Sequence, residues 1–113
     1  YQKLSEDFIR EFQNKVYWSY ISYYQKISED FIREFQDKVN WLNISYCQKL
    51  SNNFIIEFKN KIKWEILLKK YEYNLLLYNN KYCIKYNNFN SDYLEFNEFV
   101  NLALRLISLK AFQ

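Results

Sequence analysis

The sequence predicts an all-α fold in which short tandem helical hairpins stack into an α-solenoid, followed by a C-terminal capping segment. The main observation is a 23-residue unit that occurs three times, at residues 1–23, 24–46 and 47–69. The first two copies are identical at 18 of 23 positions, and the second and third copies at 9 of 23. A fixed period of this length is typical of stacked arrays, in which each unit buries an apolar face against its neighbours.

The first half of each unit has the pattern of a short helix. Ser5, Ser28 and Ser51 stand where an N-cap belongs, and acidic residues follow directly in units one and two. That order suits the positive end of a helix dipole. Apolar residues then recur three and four positions apart between Leu4 and Val16, which places them along one side of a helix.

Charged residues within this helix are spaced for ion pairing. Glu6 and Arg10 are four residues apart, as are Glu11 and Lys15 and the equivalent residues of the later units, so we expect pairs within each helix. In unit three both members of the first pair are replaced, by Asn52 and Ile56. The sequence therefore predicts that unit three packs against a different neighbour, namely the tail.

The second half of each unit has a shorter and weaker helical stripe that begins at Trp18, Trp41 and Trp64, with Asn40 as a candidate cap. A single unbroken helix does not suit the repeat, because 23 residues turn through six turns and about 140°, so equivalent side chains would rotate away from each other. We therefore predict a helical hairpin in each unit, with turns at residues 38–40 and 49–51. A leucine-rich repeat with one short strand per unit remains the rival interpretation, although its characteristic leucine pattern is absent.

Residues 70–113 form either a capping segment or a degenerate repeat. Apolar stretches at residues 71–78 and 81–86 flank Asn79-Asn80, which is compatible with a β-hairpin and equally with a fourth helical pair. A final helix is predicted after Ser91-Asp92. Because the last unit of a solenoid leaves an apolar face uncovered, capping is the preferred interpretation of this tail.

The composition makes an enzyme improbable. The chain has 113 residues and a net charge of +3, and it contains no Gly, Pro, His or Met. Without His it lacks the commonest acid–base catalyst and metal ligand, and without Gly it lacks the usual phosphate-binding loops. Cys47 and Cys83 do not form a CxxC pair, and they are expected to be reduced thiols. We predict no catalytic residue, metal site, cofactor, small-molecule substrate or membrane span.

The predicted function is a non-catalytic repeat scaffold that binds a protein partner or associates with itself. In a repeat array the variable side chains on a constant scaffold select the partner. The positions that differ most between units are therefore predicted to line the binding surface, and they are Tyr17, Ser19, Tyr20, Asn40, Leu42, Asn43, Lys63, Glu65 and Ile66.

A nucleic-acid-binding module is the alternative function. It would use a basic cluster in and just after unit three, formed by Lys59, Lys61, Lys63, Lys69 and Lys70. The repeated Trp residues would then stack on bases, but their apolar neighbours favour a core ladder instead. The repeated residues Gln2, Gln25 and Gln48 are predicted to form hydrogen bonds between units.

The repeat also has a recognisable sequence signature. It is W-x-x-I-S-x-x-Q-x-[LI]-S-E-x-F-I-R-E-F, which is complete from Trp18 to Phe35 and recurs in part from Trp41 to Phe54. This signature resembles tandem repeats in uncharacterised proteins of the mimivirus-like giant DNA viruses that infect amoebae. The resemblance covers residues 1–69 and implies no activity. It implies part of a longer viral repeat protein inside a host cell, in the cytoplasm.

Overall fold

The computed structural model describes residues 2–110, which form three repeat units, a small sheet and a final helix. Each unit contributes two short helices, and these are α1 (Glu6–Glu11), α2 (Trp18–Tyr24), α3 (Glu29–Glu34), α4 (Trp41–Cys47), α5 (Asn52–Glu57) and α6 (Trp64–Lys70). The remaining elements are β1 (Asn74–Tyr78), β2 (Lys81–Tyr86), β3 (Phe89–Asn90) and α7 (Phe96–Lys110).

The prediction of an all-α fold is wrong, because the tail contains an antiparallel sheet with the strand order β1-β2-β3. Asn79 and Asn80 connect β1 to β2, with positive φ angles of 51° and 61°. Asparagine tolerates the left-handed region better than other side chains, and two such residues match the twist of a hairpin. The protein is therefore mostly helical, with short helices at regular spacing and a sheet confined to the tail.

Side-chain caps begin the first helix of each unit. The Oγ atoms of Ser5, Ser28 and Ser51 each accept a hydrogen bond from the backbone N–H three residues later, which confirms the predicted caps. Asn40 caps α4 in the same way, through its Oδ1 and the N–H of Asn43. These helices have only six or seven residues, so they depend on packing rather than on their own stability.

Charged side chains link successive units, whereas the sequence predicted pairs four residues apart within each helix. Nε of Arg10 donates to Oε1 of Glu34 in unit two at 2.9 Å. The Glu6 carboxylate accepts from the backbone N–H of Ser28 at 2.7 Å and from its hydroxyl at 3.1 Å. The same contacts recur between units two and three. Glu6 and Arg10 therefore reach forward to hold the next unit.

Unit three packs against the tail, as predicted from its two replaced residues. Asn52 and Ile56 stand where units one and two have the forward-reaching Glu and Arg. The next element on this side is α7, and Nδ2 of Asn52 donates to the hydroxyl of Ser108 on that helix at 3.3 Å. The paired replacement therefore reflects a change of neighbour.

A ladder of Trp rings runs through the core. Trp18 packs on Phe31 and Phe35 of unit two, with centroid distances of 6.1 and 5.0 Å, and Trp41 packs on unit three in the same way. Trp64 instead meets the edge of Phe99 on α7 at 5.2 Å. Helix α7 thus supplies the aromatic ring that a further unit would otherwise present to Trp64.

Gln25 and Gln48 are buried and form hydrogen bonds between units, as predicted, whereas the exposed Gln2 side chain forms none within residues 2–110. Nε2 of Gln48 donates to the carbonyl oxygens of Ser22 at 3.0 Å and Gln25 at 2.7 Å. Its Oε1 accepts from the N–H of Ile27 at 3.4 Å. Gln25 binds the backbone of unit one in a similar way. These amides satisfy backbone groups at each junction, where water has little access.

The first testable prediction concerns Gln48. Replacing Gln48 by Ala removes all three side-chain hydrogen bonds and leaves buried backbone groups without partners. We expect the free energy of unfolding to fall by about 1–3 kcal/mol, the usual penalty for such groups. Gln2 is the exposed residue at the same position of unit one, so Gln2→Ala is the matched control. Urea unfolding followed by Trp fluorescence measures both, and equal losses would contradict the structural role of Gln48.

Candidate protein-binding surface

The second helices of the three units lie side by side, with α2 against α4 and α4 against α6. Their buried sides carry Ile21, Ile44 and Leu67. A second group of residues on these helices is spaced three and four positions apart, so its side chains project from each helix in one direction. We call this side the tyrosine surface, and it consists of Tyr20, Tyr23, Tyr24, Tyr46, Cys47, Ile66, Lys69 and Lys70.

Three of the tyrosines form a cluster on α2. The ring of Tyr24 lies 4.8 Å from that of Tyr20 and 4.6 Å from that of Tyr23, measured between centroids. The spacing along the helix brings the rings together, and all three are exposed. An exposed aromatic cluster offers a large contact area whose side chains lose little conformational entropy on binding.

Two grooves cross the tyrosine surface between neighbouring helices. The groove between α2 and α4 has a volume of about 270 Å³, and the walls and floor are formed by Tyr23, Tyr24, Gln25, Lys26, Cys47, Gln48 and Lys49. The groove between α4 and α6 has a volume of about 310 Å³, and its lining residues are Tyr46, Ile66, Lys69 and Lys70. Both grooves therefore combine aromatic or apolar walls with lysines.

The two half-buried titratable groups near these grooves are Lys70 and Cys47. Nζ of Lys70 donates to the carbonyl oxygen of Gln48 at 3.3 Å, and burial lowers the pKa of this lysine. Burial raises the pKa of the Cys47 thiol, while the positive charge of Lys70 acts in the opposite direction. Lys70 therefore joins the end of α6 to the backbone at the end of α4.

The nine residues predicted from sequence variation occupy three kinds of position. Tyr20 and Ile66 belong to the tyrosine surface. Ser19, Asn40 and Asn43 form hydrogen bonds that join α2 to α4, at 3.0 Å from Asn43 Nδ2 to Ser19 O and 3.3 Å from Asn40 Nδ2 to Ser19 Oγ. The other four are exposed near the starts of the second helices, outside both grooves, and they are Tyr17, Leu42, Lys63 and Glu65.

The five lysines of the predicted basic cluster have different surroundings. Nζ of Lys59 donates to Oδ1 of Asn97 at 2.9 Å, and Nζ of Lys61 donates to Oε1 of Gln36 at 3.2 Å. Lys70 is held by Gln48, as described above. Lys63 and Lys69 are exposed. Three of the five ammonium groups thus make contacts within the protein.

The sequence interpretation missed Tyr23, Tyr24 and Tyr46. It selected residues that vary between units, whereas units one and two share a Tyr at the position of Tyr23 and Tyr46. The missed signal was the spacing of the aromatic residues. Tyr23 and Tyr24 lie three and four residues after Tyr20, so the three rings share one side of the helix.

The chain matches no family model, no curated protein and no solved structure. Within residues 2–110, the Cys, Asp and Glu side chains form no group of three or more that could hold a metal ion. None of the helices in the described part of the chain combines the length and the apolar character that crossing a bilayer requires.

The second testable prediction uses the two free thiols as probes of the groove. Cys47 is half-buried beside the groove between α2 and α4, whereas Cys83 is buried and its Sγ donates to the Ser91 carbonyl oxygen at 3.3 Å. We expect N-ethylmaleimide to modify Cys47 first. The thiolate is the form that reacts, and burial raises the pKa of Cys47. The pH at which the reaction rate of Cys47 rises should therefore be higher than the pH at which the rate of free glutathione rises. Peptide mapping by mass spectrometry across a pH series measures this, and earlier modification of Cys83 would contradict it.

Proposed function

We propose that this protein is a non-catalytic repeat scaffold that binds a protein partner through the tyrosine surface. The observation that carries the proposal is the exposure of large aromatic side chains beside two grooves. Tyr23 is 44% exposed and Tyr46 is 52% exposed, and each lines one of the grooves. Tyrosine is enriched in protein interfaces, where the ring fills a pocket and the hydroxyl forms hydrogen bonds.

The chemistry of the grooves suits a partner segment that carries both apolar and acidic side chains. Tyr46 and Ile66 provide apolar contact area in the groove between α4 and α6, and the exposed Lys69 provides positive charge there. Lys26 and Lys49 are exposed in the other groove. Lysines beside an interface increase the rate of encounter with acidic partners and disfavour basic ones.

The resemblance of the repeat to those of giant-virus proteins supports the setting that we propose. The scaffold would form part of a longer repeat protein and act in the cytoplasm of a host cell. In such an array the grooves between successive units are repeated, so several grooves can bind one extended segment.

The third testable prediction compares two double variants, each of which replaces two exposed tyrosines by serine. Tyr23→Ser with Tyr46→Ser removes one tyrosine from each groove. Tyr17→Ser with Tyr78→Ser removes two exposed tyrosines from other sites. Peptides that are selected from a random library for binding to the unmodified protein should contain acidic and apolar residues. Their Kd should increase at least tenfold for the groove variant and change little for the control, since interface tyrosines contribute more than about 1.4 kcal/mol where they anchor binding.

Isothermal titration calorimetry measures both affinities, and circular dichroism verifies that both variants are folded. Selected peptides that bind the two variants equally well would argue against the tyrosine surface as the binding site. Failure to select any peptide with acidic and apolar residues would argue against the proposed chemistry of the partner.

A further inference from the structure

Unit one has an apolar face that the other two units bury. Phe8 is 42% exposed, whereas the equivalent residues Phe31 and Phe54 are fully buried, at 0%. Phe12 is also partly exposed, although its equivalents in units two and three are buried. We call this the open face, and it consists of Leu4, Ser5, Phe8, Glu11, Phe12 and Val16. An exposed apolar area at a repeated core position indicates a missing neighbour.

The junction between units one and two shows what covers this face elsewhere in the chain. The ring of Trp18 packs on Phe31, and the guanidinium carbon of Arg10 lies 5.3 Å from the centroid of the same ring. Arg10 also binds Glu34. Glu6 in addition accepts from the N–H and the hydroxyl of Ser28. A Trp, an Arg and a Glu of one unit therefore contact the following unit, and the same contacts recur at the next junction.

Unit one retains each residue that would receive these contacts. Phe8, Ser5 and Glu11 correspond to Phe31, Ser28 and Glu34. Within residues 2–110 the exposed Glu11 carboxylate forms no hydrogen bond or ion pair, whereas the equivalent carboxylates of units two and three each bind an arginine. The open face thus offers an acceptor, an apolar surface and a helix start in the arrangement that a neighbouring unit recognises.

The opposite end of the array provides the comparison. Unit three is followed by α7 instead of a further unit, and it has Asn52 and Ile56 in place of the forward-reaching Glu and Arg. Its Trp64 is covered by Phe99 of α7. In the described residues the open face of unit one has no comparable cover.

We propose that the open face binds a further repeat unit that has Glu, Arg and Trp at the positions of Glu6, Arg10 and Trp18. The added unit docks as unit one docks on unit two. A second copy of this chain does not provide such a unit. The Glu and Arg residues of its first two units already bind the following unit, and its third unit has Asn52 and Ile56 at these positions. This inference goes beyond the tyrosine surface and does not depend on it, since the two surfaces share no residue.

The fourth testable prediction extends the chain. A copy of the sequence of residues 24–46 is joined directly before Tyr1, and urea unfolding is compared with that of the 113-residue chain. We expect a single transition with a higher midpoint and a larger m-value, because the added unit buries the open face and unfolds together with the rest. A second extension has Asn and Ile in place of its forward Glu and Arg, as unit three does, and should raise the midpoint less.

Glu11→Gln tests the contact itself. In the extended chain this substitution should lower the unfolding midpoint, because it removes the negative charge that would pair with the added arginine and replaces one accepting oxygen by an NH₂ group. In the unextended chain, where Glu11 is exposed, the midpoint should change little. The difference between the two effects isolates the new contact from any effect of Glu11 within unit one.

Any one of four outcomes would overturn the inference. The added unit would unfold in a separate transition, or leave the original midpoint unchanged. Glu11→Gln would have the same effect in both chains. Sedimentation of the unextended chain would show a dimer that Phe8→Ser dissociates, which would identify a second copy as the occupant. Peptide binding at the tyrosine surface is measured separately, so each proposal stands or fails on its own result.

Discussion

The contact between successive units is the interaction on which the rest of this structure depends. A helix of six or seven residues is not stable alone in water, since nucleation is unfavourable and few hydrogen bonds follow it. Burial of Phe31 beneath the ring of Trp18 supplies the hydrophobic contribution that the helices lack. The partly exposed pair of Arg10 and Glu34 contributes less to stability and more to the alignment of the units. Stability therefore belongs to pairs of units, as expected for a linear array.

Patterns that repeat at a fixed spacing were predictable from the sequence. The serine caps, the Trp ladder and the glutamine contacts each depend on one residue type at one position, and three copies make that position conspicuous. The sheet was not predictable to the same degree. The apolar run at residues 75–77 is too short for periodicity to separate a strand from a helix. The decisive feature is the pair of positive φ angles at Asn79 and Asn80, which becomes evident only in the structure.

The charged residues show a second limit of sequence reasoning. Glu34 and Lys38 are correctly spaced for a pair within a helix, yet Glu34 binds Arg10 and Lys38 binds Gln13 and Asn14, all in the preceding unit. For Glu34 and Lys38 the preceding unit presents better-placed partners than the same helix does, whereas Arg10 also pairs within its own helix, with Asp7 at 2.8 Å. Prediction of the candidate binding surface from the sequence meets the same limit, because contacts with the adjacent helix are not visible in the sequence. Variation identified Tyr20 and Ile66, but it also identified Asn40 and Asn43, which face the adjacent helix.

The two surfaces of this protein are coupled by geometry. A groove forms wherever two second helices lie side by side, so the three helices α2, α4 and α6 create two grooves. A unit docked on the open face would place its own second helix against α2. It would thereby create a third groove bordered by the cluster of Tyr20, Tyr23 and Tyr24. The residues that hold the array together thus set the length of its binding surface, while the residues that line the grooves set its chemistry. Gln25 and Gln48 belong to both groups, because they line one groove and also bind the preceding unit. Glu6, Arg10 and Trp18 line neither groove, so a further unit held by equivalent residues would leave the chemistry of the existing grooves unchanged.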